Sequence, residues 1–275
     1  MLTRLATATV AILLLGLFAS AGIGQESNDN SAKPDSSAIV ERMKRALDPA
    51  IPSVRIMKLR VNGRRTTVQW RMAQARGEAN GSKWLLTVML LPSSWGKGIA
   101  LLDEDNPSAT AASEYIYLPA VQRVRRFTPL QGWEPFFGSD FSYQDFSFPR
   151  LGLNAKLKGT EMRNDTHCYR LEETLTNNPY YSRIETWVAT DTGLPVERDY
   201  YDLSGKLYKS QSYEHIVTIQ NVPTITKIVM TDVQMDRSSE IDVTSVKYDK
   251  QAPASLFDPN NLPNAAANQF WKSAM

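Results

Sequence analysis

The chain contains 275 residues, of which 42% are hydrophobic and 22% are charged, and this composition is ordinary for a globular protein. Its 31 Lys and Arg residues nearly balance its 29 Asp and Glu residues. That balance argues against nucleic acid as a partner, because a surface that follows phosphates requires a clear basic excess. Cys168 is the only cysteine, so the chain cannot form an intrachain disulfide and must be stabilised by its core.

The N-terminal residues 1–25 have the three parts of a secretory signal. Arg4 provides the positive charge, residues 8–18 form an apolar stretch, and small residues at 19–21 precede a cleavage point, with a second candidate near Gln25. The apolar stretch is shorter than the about 20 residues that a membrane-spanning helix needs, and an uncleaved anchor is the alternative. No cysteine follows that could carry a lipid. We therefore predict a soluble protein that is exported by a cleavable signal peptide and works outside the cytoplasm.

Residues 26–37 are polar and include a proline, which predicts a flexible linker. Directly after it, apolar side chains recur at helical spacing and predict an amphipathic helix over residues 38–47. Asp35 and the two serines that follow it are candidate caps, and Pro49 ends the helix. The apolar positions of this helix are Ile39, Val40, Met43, Ala46 and Leu47.

From Val54 onward the apolar pattern changes to a period of two, which is typical of β-strands. Turn signals such as Asn80-Gly81 and Ser204-Gly205 separate many of the strands and favour antiparallel pairing. We predict a mainly β protein with one curved antiparallel sheet of roughly 10–11 strands. The N-terminal helix and an irregular segment over residues 129–165 are expected to close the apolar concave face. The predicted strands after Val54 are residues 67–73, 84–91, 114–118, 121–127, 168–175, 183–189, 196–201, 207–219, 224–235 and 240–248.

Sequence motifs of catalytic or metal sites are missing from the chain. It has no G-x-S-x-G elbow, no Walker loop, no H-E-x-x-H pair and no C-x-x-C pair. His167 and Cys168 are adjacent, so on a strand they point to opposite faces and cannot bind one metal ion. Asp140 and Asp145 could form the carboxylate pair of a hydrolase, although Asp serves more often in turns and caps. We therefore expect a protein that is not an enzyme and that has no metal and no cofactor, with a secreted hydrolase as an alternative.

One segment, residues 115–146, combines an aromatic strand, a basic strand and a Gly-Ser-Asp-Phe turn between aromatic residues. Its pattern YLP…VQRVRRF…FFGSDFSYQDF resembles the signature of the periplasmic outer-membrane lipoprotein-sorting family, the LolA-like proteins. The resemblance extends more loosely from Trp70 to Phe257. It implies a half-open antiparallel β-barrel with helices as a lid, and an apolar cavity that holds acyl chains in transit across the periplasm.

This resemblance predicts a sorting-like domain over residues 38–258, followed by a C-terminal tail over residues 259–275. The expected function is a non-enzymatic carrier or chaperone that binds the acyl chains of lipids or lipoproteins, since each methylene removed from water contributes about 0.8 kcal/mol. Residues predicted to line the cavity could instead be ordinary core residues. The candidate lining residues are Trp70, Met72, Leu86, Val88, Leu90, Tyr115 and Tyr117.

The rim of the predicted cavity is expected to carry the basic strand and the turn. Arg123 and Arg125 share one face of their strand and could meet a lipid headgroup or a partner, or they could lie on a solvated face paired to neighbours. The other candidate rim residues are Gly138, Ser139, Asp140, Phe141 and Tyr143.

The expected partners are membrane-bound donor and acceptor proteins, with the protein itself a monomer. Two further alternatives remain at this point. One is a periplasmic accessory protein of a lipid-exporting transporter, which has the same binding physics. The other is an outer-membrane barrel, which is less favoured because many strands are short and charged on one face.

Overall fold

A computed structural model describes residues 34–63, 66–90, 98–105, 113–128, 131–149 and 154–274. The predicted signal peptide and most of the predicted linker lie outside these residues. Among the helices that are described, none is long and apolar enough to cross a membrane.

The predicted N-terminal helix is confirmed as α1 (Ser36–Leu47). The Asp35 side chain caps its start by accepting a hydrogen bond from the Ser37 amide at 3.3 Å. Its apolar stripe, which includes Ile39 and Met43, packs against Leu171 and Val188 of the sheet. The helix therefore covers one end of the sheet rather than standing free.

The described residues form thirteen strands in one antiparallel sheet, whose order is β6-β5-β4-β3-β2-β1-β13-β12-β11-β10-β9-β8-β7. The sheet does not close, and β6 and β7 are its two edges. This confirms the predicted single curved antiparallel sheet. The strands are β1 (Ser53–Asn62), β2 (Thr67–Ala79), β3 (Ser82–Leu90), β4 (Ala100–Asp105), β5 (Ser113–Leu118), β6 (Arg123–Phe127), β7 (Ala155–Arg163), β8 (Thr166–Thr174), β9 (Arg183–Ala189), β10 (Pro195–Tyr201), β11 (Leu207–Ile219), β12 (Val222–Asp232) and β13 (Arg237–Tyr248).

Strand β7 corrects the prediction that all of residues 129–165 are irregular. Residues 131–149 do contain only short 3₁₀ turns, whereas β7 pairs with β8 along its length. Ala155 and Leu157 pack with the apolar residues of α1, whereas Lys156 and Lys158 are exposed. Most of β7 is exposed at an edge of the sheet, so it lacks the apolar alternation of an inner strand.

The sheet has two faces with separate apolar clusters. The inner face carries Met57, Met72 and Met89, which pack with aromatic residues of segment 131–149. The outer face carries Ile56 and Leu86, which pack with the C-terminal segment. Because successive strand residues alternate between the faces, neighbours in sequence belong to different clusters.

A β-bulge in β13 sets which of its residues face inward. Thr244 is an extra residue opposite β1, between the pairs Met57–Val243 and Ile56–Ser245, and its hydroxyl donates to the Ile56 carbonyl at 3.2 Å. Odd-numbered residues of β13 face inward before the bulge, and even-numbered residues face inward after it. Val243 before it and Tyr248 after it consequently line the same inner cavity.

The C-terminal segment, residues 254–274, packs on the outer face and includes the short helices α2 (Leu262–Ala265) and α3 (Phe270–Ala274). Trp271 is 2% exposed, and its indole N–H donates to the Ala265 carbonyl at 2.7 Å. The residues suggested as a tail thus contribute side chains to the outer cluster: Leu262, Ala265 and Trp271 are buried in it, and Ala266 and Phe270 pack against it.

We expect Trp271→Ala to lower the free energy of unfolding by about 3–5 kcal/mol, because it removes a buried aromatic side chain and leaves a cavity. Urea unfolding followed by circular dichroism measures this difference. Lys272→Ala is the matched control, since Lys272 is exposed next to it in the same helix. Equal stability of the two variants would contradict the packing described for this segment.

Candidate functional site

Segment 131–149, called the lid loop below, lies across the inner face of the sheet. Its buried side chains Phe136, Phe141 and Phe146 pack with methionine and aliphatic side chains of the inner cluster. The rings of Phe136 and Phe146 lie 4.2 Å apart between centroids, and those of Phe136 and Tyr143 lie 5.2 Å apart. The lid loop is therefore held partly by aromatic packing.

The buried Asp140 anchors the lid loop to strands β11 and β13. The Asp140 carboxylate accepts from Arg237 Nε at 2.6 Å and from the Ser239 hydroxyl at 2.7 Å. The Asp140 amide donates to that hydroxyl at 2.9 Å, and its carbonyl accepts from Lys209 Nζ at 2.6 Å. Charge-assisted bonds of this kind are the strong ones, so Asp140 ties the loop to β11 and β13.

The turn before Asp140 is closed by its own hydrogen bonds. The Phe136 amide donates to the Phe141 carbonyl at 2.7 Å, and the Ser139 hydroxyl donates to the Phe136 carbonyl at 2.6 Å. Phe137 and Gly138 have φ of 47° and 74°, the left-handed region in which glycine is unstrained. The Ser139 hydroxyl is thus fully used in the turn and is buried.

Two neighbouring cavities lie between the lid loop, the end of α1 and the inner face. The first, called the polar chamber, has a volume of about 150 Å³ and is lined by charged and amide side chains as well as apolar ones. The second, called the apolar chamber, has a volume of about 90 Å³. Leu47, Arg55, Gln74, Asp145 and Ile228 border both chambers.

Three arginines and two aspartates line the polar chamber. Arg76 is 4% exposed and forms an ion pair with Asp48, with Nη2 2.7 Å from Oδ2. Asp145 accepts from the Ser142 amide and hydroxyl, both at 2.7 Å, and so caps a turn of the lid loop. The remaining arginines are Arg55 and Arg198.

Arg198 is 3% exposed, and its Nη2 has no hydrogen-bond partner among the described residues. Its Nε lies 3.4 Å from the Thr186 hydroxyl, and its guanidinium carbon lies 5.2 Å from the centre of the Tyr200 ring. Burial opposes its charge, but a hydrogen bond to Tyr213 and the negative charge of Asp145 raise the pKa of Arg198 above its usual range. The chamber therefore contains a permanent and incompletely bonded cation.

Two phenols beside Arg198 remain neutral. Burial raises the pKa of Tyr200 and of Tyr213 above that of a free phenol. The Tyr200 hydroxyl donates to Gln211 Oε1 at 2.8 Å. Neither phenol supplies a negative charge that could neutralise Arg198.

The structure divides the predicted lining residues between the two faces. Trp70 and Met72 belong to the inner cluster. The others belong to the outer cluster, and none of the seven borders either chamber. Their binding role stays a prediction. The residues on the outer face are Leu86, Val88, Leu90, Tyr115 and Tyr117.

The predicted rim residues fall into two groups. Arg123 and Arg125 are exposed on the edge strand β6, and within the described residues neither has a hydrogen-bond or ion-pair partner. The residues of the second group all lie in the lid loop: Gly138, Ser139, Asp140, Phe141 and Tyr143. Contact of either group with a ligand or partner stays a prediction.

The sequence patterns did not identify the polar side chains of the inner face. Gln74 and Arg76 alternate with Ala73 and Ala75 on β2, and this alternation of polar and small residues is the signal that could have found them. Arg198 lies among polar neighbours on β10 and carries no such signal. The part of the chain that the structure describes has no group of three His, Cys, Asp or Glu side chains placed to hold a metal ion.

Comparisons with known proteins support the fold. A family model described as "Uncharacterized protein" matches residues 81–264, which is more than half of the chain. No curated protein matches the chain. The resemblance to LolA-like proteins is confirmed for the fold by the solved structures that follow.

A domain assigned to outer-membrane lipoprotein sorting from Vibrio parahaemolyticus has a TM-score of 0.71 at 20% identity, covering 83% of this chain and 100% of that one. A DUF1329 family protein from Desulfovibrio piger has a TM-score of 0.70 at 22% identity, covering 82% and 97%. A LolA superfamily protein from Nitrosomonas europaea has a TM-score of 0.63 at 19% identity, covering 82% and 98%.

We expect Asp140→Asn to lower the free energy of unfolding by about 2 kcal/mol, because it weakens charge-assisted bonds to Arg237 and Ser239. Urea unfolding measures the loss. Asp236→Asn is the matched control: it removes the same charge from an exposed turn next to β13, at a φ of 51° that Asn tolerates. If both variants unfold at the same urea concentration, Asp140 does not anchor the lid loop.

Proposed function

We propose that this chain is a non-enzymatic carrier of lipid or lipoprotein acyl chains in the periplasm. The chain belongs to the uncharacterized family whose model matches residues 81–264, and it has a LolA-like fold. The acyl chain enters between the lid loop and the inner face of the sheet. The observation that carries this proposal is the pair of neighbouring chambers at that place.

The apolar chamber has the surface that an acyl chain needs. Its walls include Met57, Ile225, Ile228, Ile241 and Val243. A 16-carbon chain removed from water gains at most about 13 kcal/mol at about 0.8 kcal/mol per methylene. A wall of aliphatic side chains and a methionine recovers part of that free energy while still permitting release.

Binding of a long chain requires the lid loop to move outward. Both chambers, at about 150 and 90 Å³, are smaller than the roughly 300–1,000 Å³ of ordinary ligand pockets. The aromatic side chains of the loop fill the space next to the chambers, so an acyl chain replaces their contacts with the inner cluster. Trp70 and Met72, which lie in that cluster, become lining residues when the loop moves.

The hydrolase alternative receives little support from the two aspartates. The Asp140 carboxylate already accepts from Arg237 and Ser239 and is 1% exposed. Asp145 caps the lid loop through Ser142. Both carboxylates take part in hydrogen bonds that position the lid loop, and this favours the carrier over the hydrolase.

The signal-like residues 1–25 and the LolA-like fold together support the proposed periplasmic location. A carrier must meet a membrane-bound donor and an acceptor, or the transporter of which it is an accessory. Arg123 and Arg125 are exposed on the edge strand β6 and supply positive charge for such a contact.

The Arg123→Ala/Arg125→Ala double variant is expected to slow transfer of a fluorescent acyl probe from the loaded protein to vesicles containing anionic phospholipid. The physical reason is the loss of two charges at the approaching surface. The matched control is Lys58→Ala/Arg71→Ala, which removes two exposed charges from directly paired positions of β1 and β2. An unchanged transfer rate in the first variant would remove the rim role.

Carrier function is tested by native mass spectrometry of the protein purified from the periplasm and by titration with cis-parinaric acid. We expect a co-purifying lipid and saturable binding of the probe. Ile228→Trp should remove most of the probe binding, because Ile228 borders both chambers and a larger ring fills them. Val217→Trp, at an exposed position of β11, should bind normally. Lipid-free protein that also fails to bind the probe would disprove the carrier function.

A further inference from the structure

We propose that the polar chamber is a binding site for the oxyanion head of an amphiphile, a carboxylate or a phosphate, held by Arg198 and Arg55 while the acyl chain occupies the apolar chamber. This inference rests on the proposed carrier function and adds to it the charge and position of the head group.

The first observation is the incompletely hydrogen-bonded guanidinium of Arg198. It is 3% exposed, lines the polar chamber, and its Nη2 has no partner among the described residues. A buried donor atom of a charged group that has no partner is unfavourable. A planar guanidinium with free N–H groups is suited to the geometry of a carboxylate or phosphate. The Nη2 donor of Arg198 is thus available to bind an anionic ligand.

Arg55 provides a second guanidinium that lines the polar chamber, on a different strand from Arg198. It lies on β1, is half-buried, and within the described chain has no hydrogen bond or ion pair. Arg76, the third arginine, is already paired with Asp48. An anion in the chamber would therefore be held from β1 on one side and from β10 on the other.

The charges of the chamber leave room for one more anion. Three guanidinium groups face two carboxylates, those of Asp48 and Asp145. Asp48 is used by Arg76, and Asp145 accepts two hydrogen bonds from Ser142. The excess of one positive charge favours a ligand with an anionic head, such as an ionised carboxylate or a phosphate ester.

The arrangement of the two chambers separates a head from a tail. Arg55 borders both chambers, whereas Arg198 borders only the polar one. The residues that line only the apolar chamber are mostly apolar and include Ile225, Ile241 and Val243. A ligand with an anionic end and an apolar chain can pass from one chamber into the other beside Arg55.

The test compares four probes by calorimetry on the full mature protein: palmitate, hexadecyl phosphate, hexadecanol and inorganic phosphate. The first three share a 16-carbon chain and differ in the head, and the fourth has no chain. We expect the two anionic amphiphiles to bind at least tenfold more tightly than hexadecanol, and inorganic phosphate to bind far more weakly. The tighter of the two anionic amphiphiles identifies the head as carboxylate or phosphate.

Arg198→Gln is expected to weaken binding of the anionic amphiphiles at least tenfold, equivalent to about 1.4 kcal/mol, and to leave hexadecanol binding unchanged. Arg55→Gln should give the same selective loss. This variant should fold normally, because Arg55 has no hydrogen bond or ion pair within the described residues that the substitution would remove. Arg45→Gln, at an exposed position in the last turn of α1, removes the same charge near the chambers without lining them and should bind all probes normally.

Two results would overturn the proposal. One is equal binding of hexadecanol and the anionic amphiphiles in the unmodified protein, with no selective loss in Arg55→Gln. The other is inorganic phosphate that binds as tightly as hexadecyl phosphate, which would indicate a site for a free anion. Failure of every 16-carbon probe to bind would instead refute the carrier function itself.

Discussion

The antiparallel pairing of β1 with β13 is the contact on which both chambers depend. It joins a half made of β1–β6 to a half made of β7–β13, although the paired residues lie far apart in the chain. Through this pairing Arg55 and Gln74 come to face the same space as Arg198 and Tyr200. Neither half alone encloses the chambers, so the site exists only when the whole sheet has formed.

The lid loop adds two kinds of attachment with different physical properties. The bonds of Asp140 to Arg237, Ser239 and Lys209 are directional, and they hold one point of the loop. The aromatic packing of Phe136 and Phe146 is not directional and can be replaced by other apolar groups. A loop that is tied at one point and packed elsewhere can change its contacts without leaving the sheet.

The fold could be predicted further from the sequence than the site could. Alternation over residues 67–73 and the turn signals identified an antiparallel sheet, and helical spacing identified α1. Strand β4 was missed because ALLDED does not alternate, and β7 because it is an exposed edge. These strands are defined by their pairing with neighbouring strands, and the local sequence pattern carries no information about that pairing.

The side chains of the chambers could not be chosen from periodicity because β3 is apolar on both faces. A period of two says that Leu85 and Leu86 lie on opposite faces, but it does not say which face turns inward. The bulge at Thr244 also changes the alternation within β13. Arg198 faces a chamber whose other walls include β1 and β2, far away in sequence, and its own neighbours on β10 do not reveal it.

The two open edges of the sheet have a consequence for how the protein behaves in a crowded compartment. An exposed strand edge offers free backbone groups to any other strand, including that of a second copy. Here β6 carries Arg123, Arg125 and Arg126, and β7 carries Lys156 and Lys158. Approach of two copies edge to edge would bring like charges together. The basic edges thus oppose edge-to-edge pairing of two open sheets.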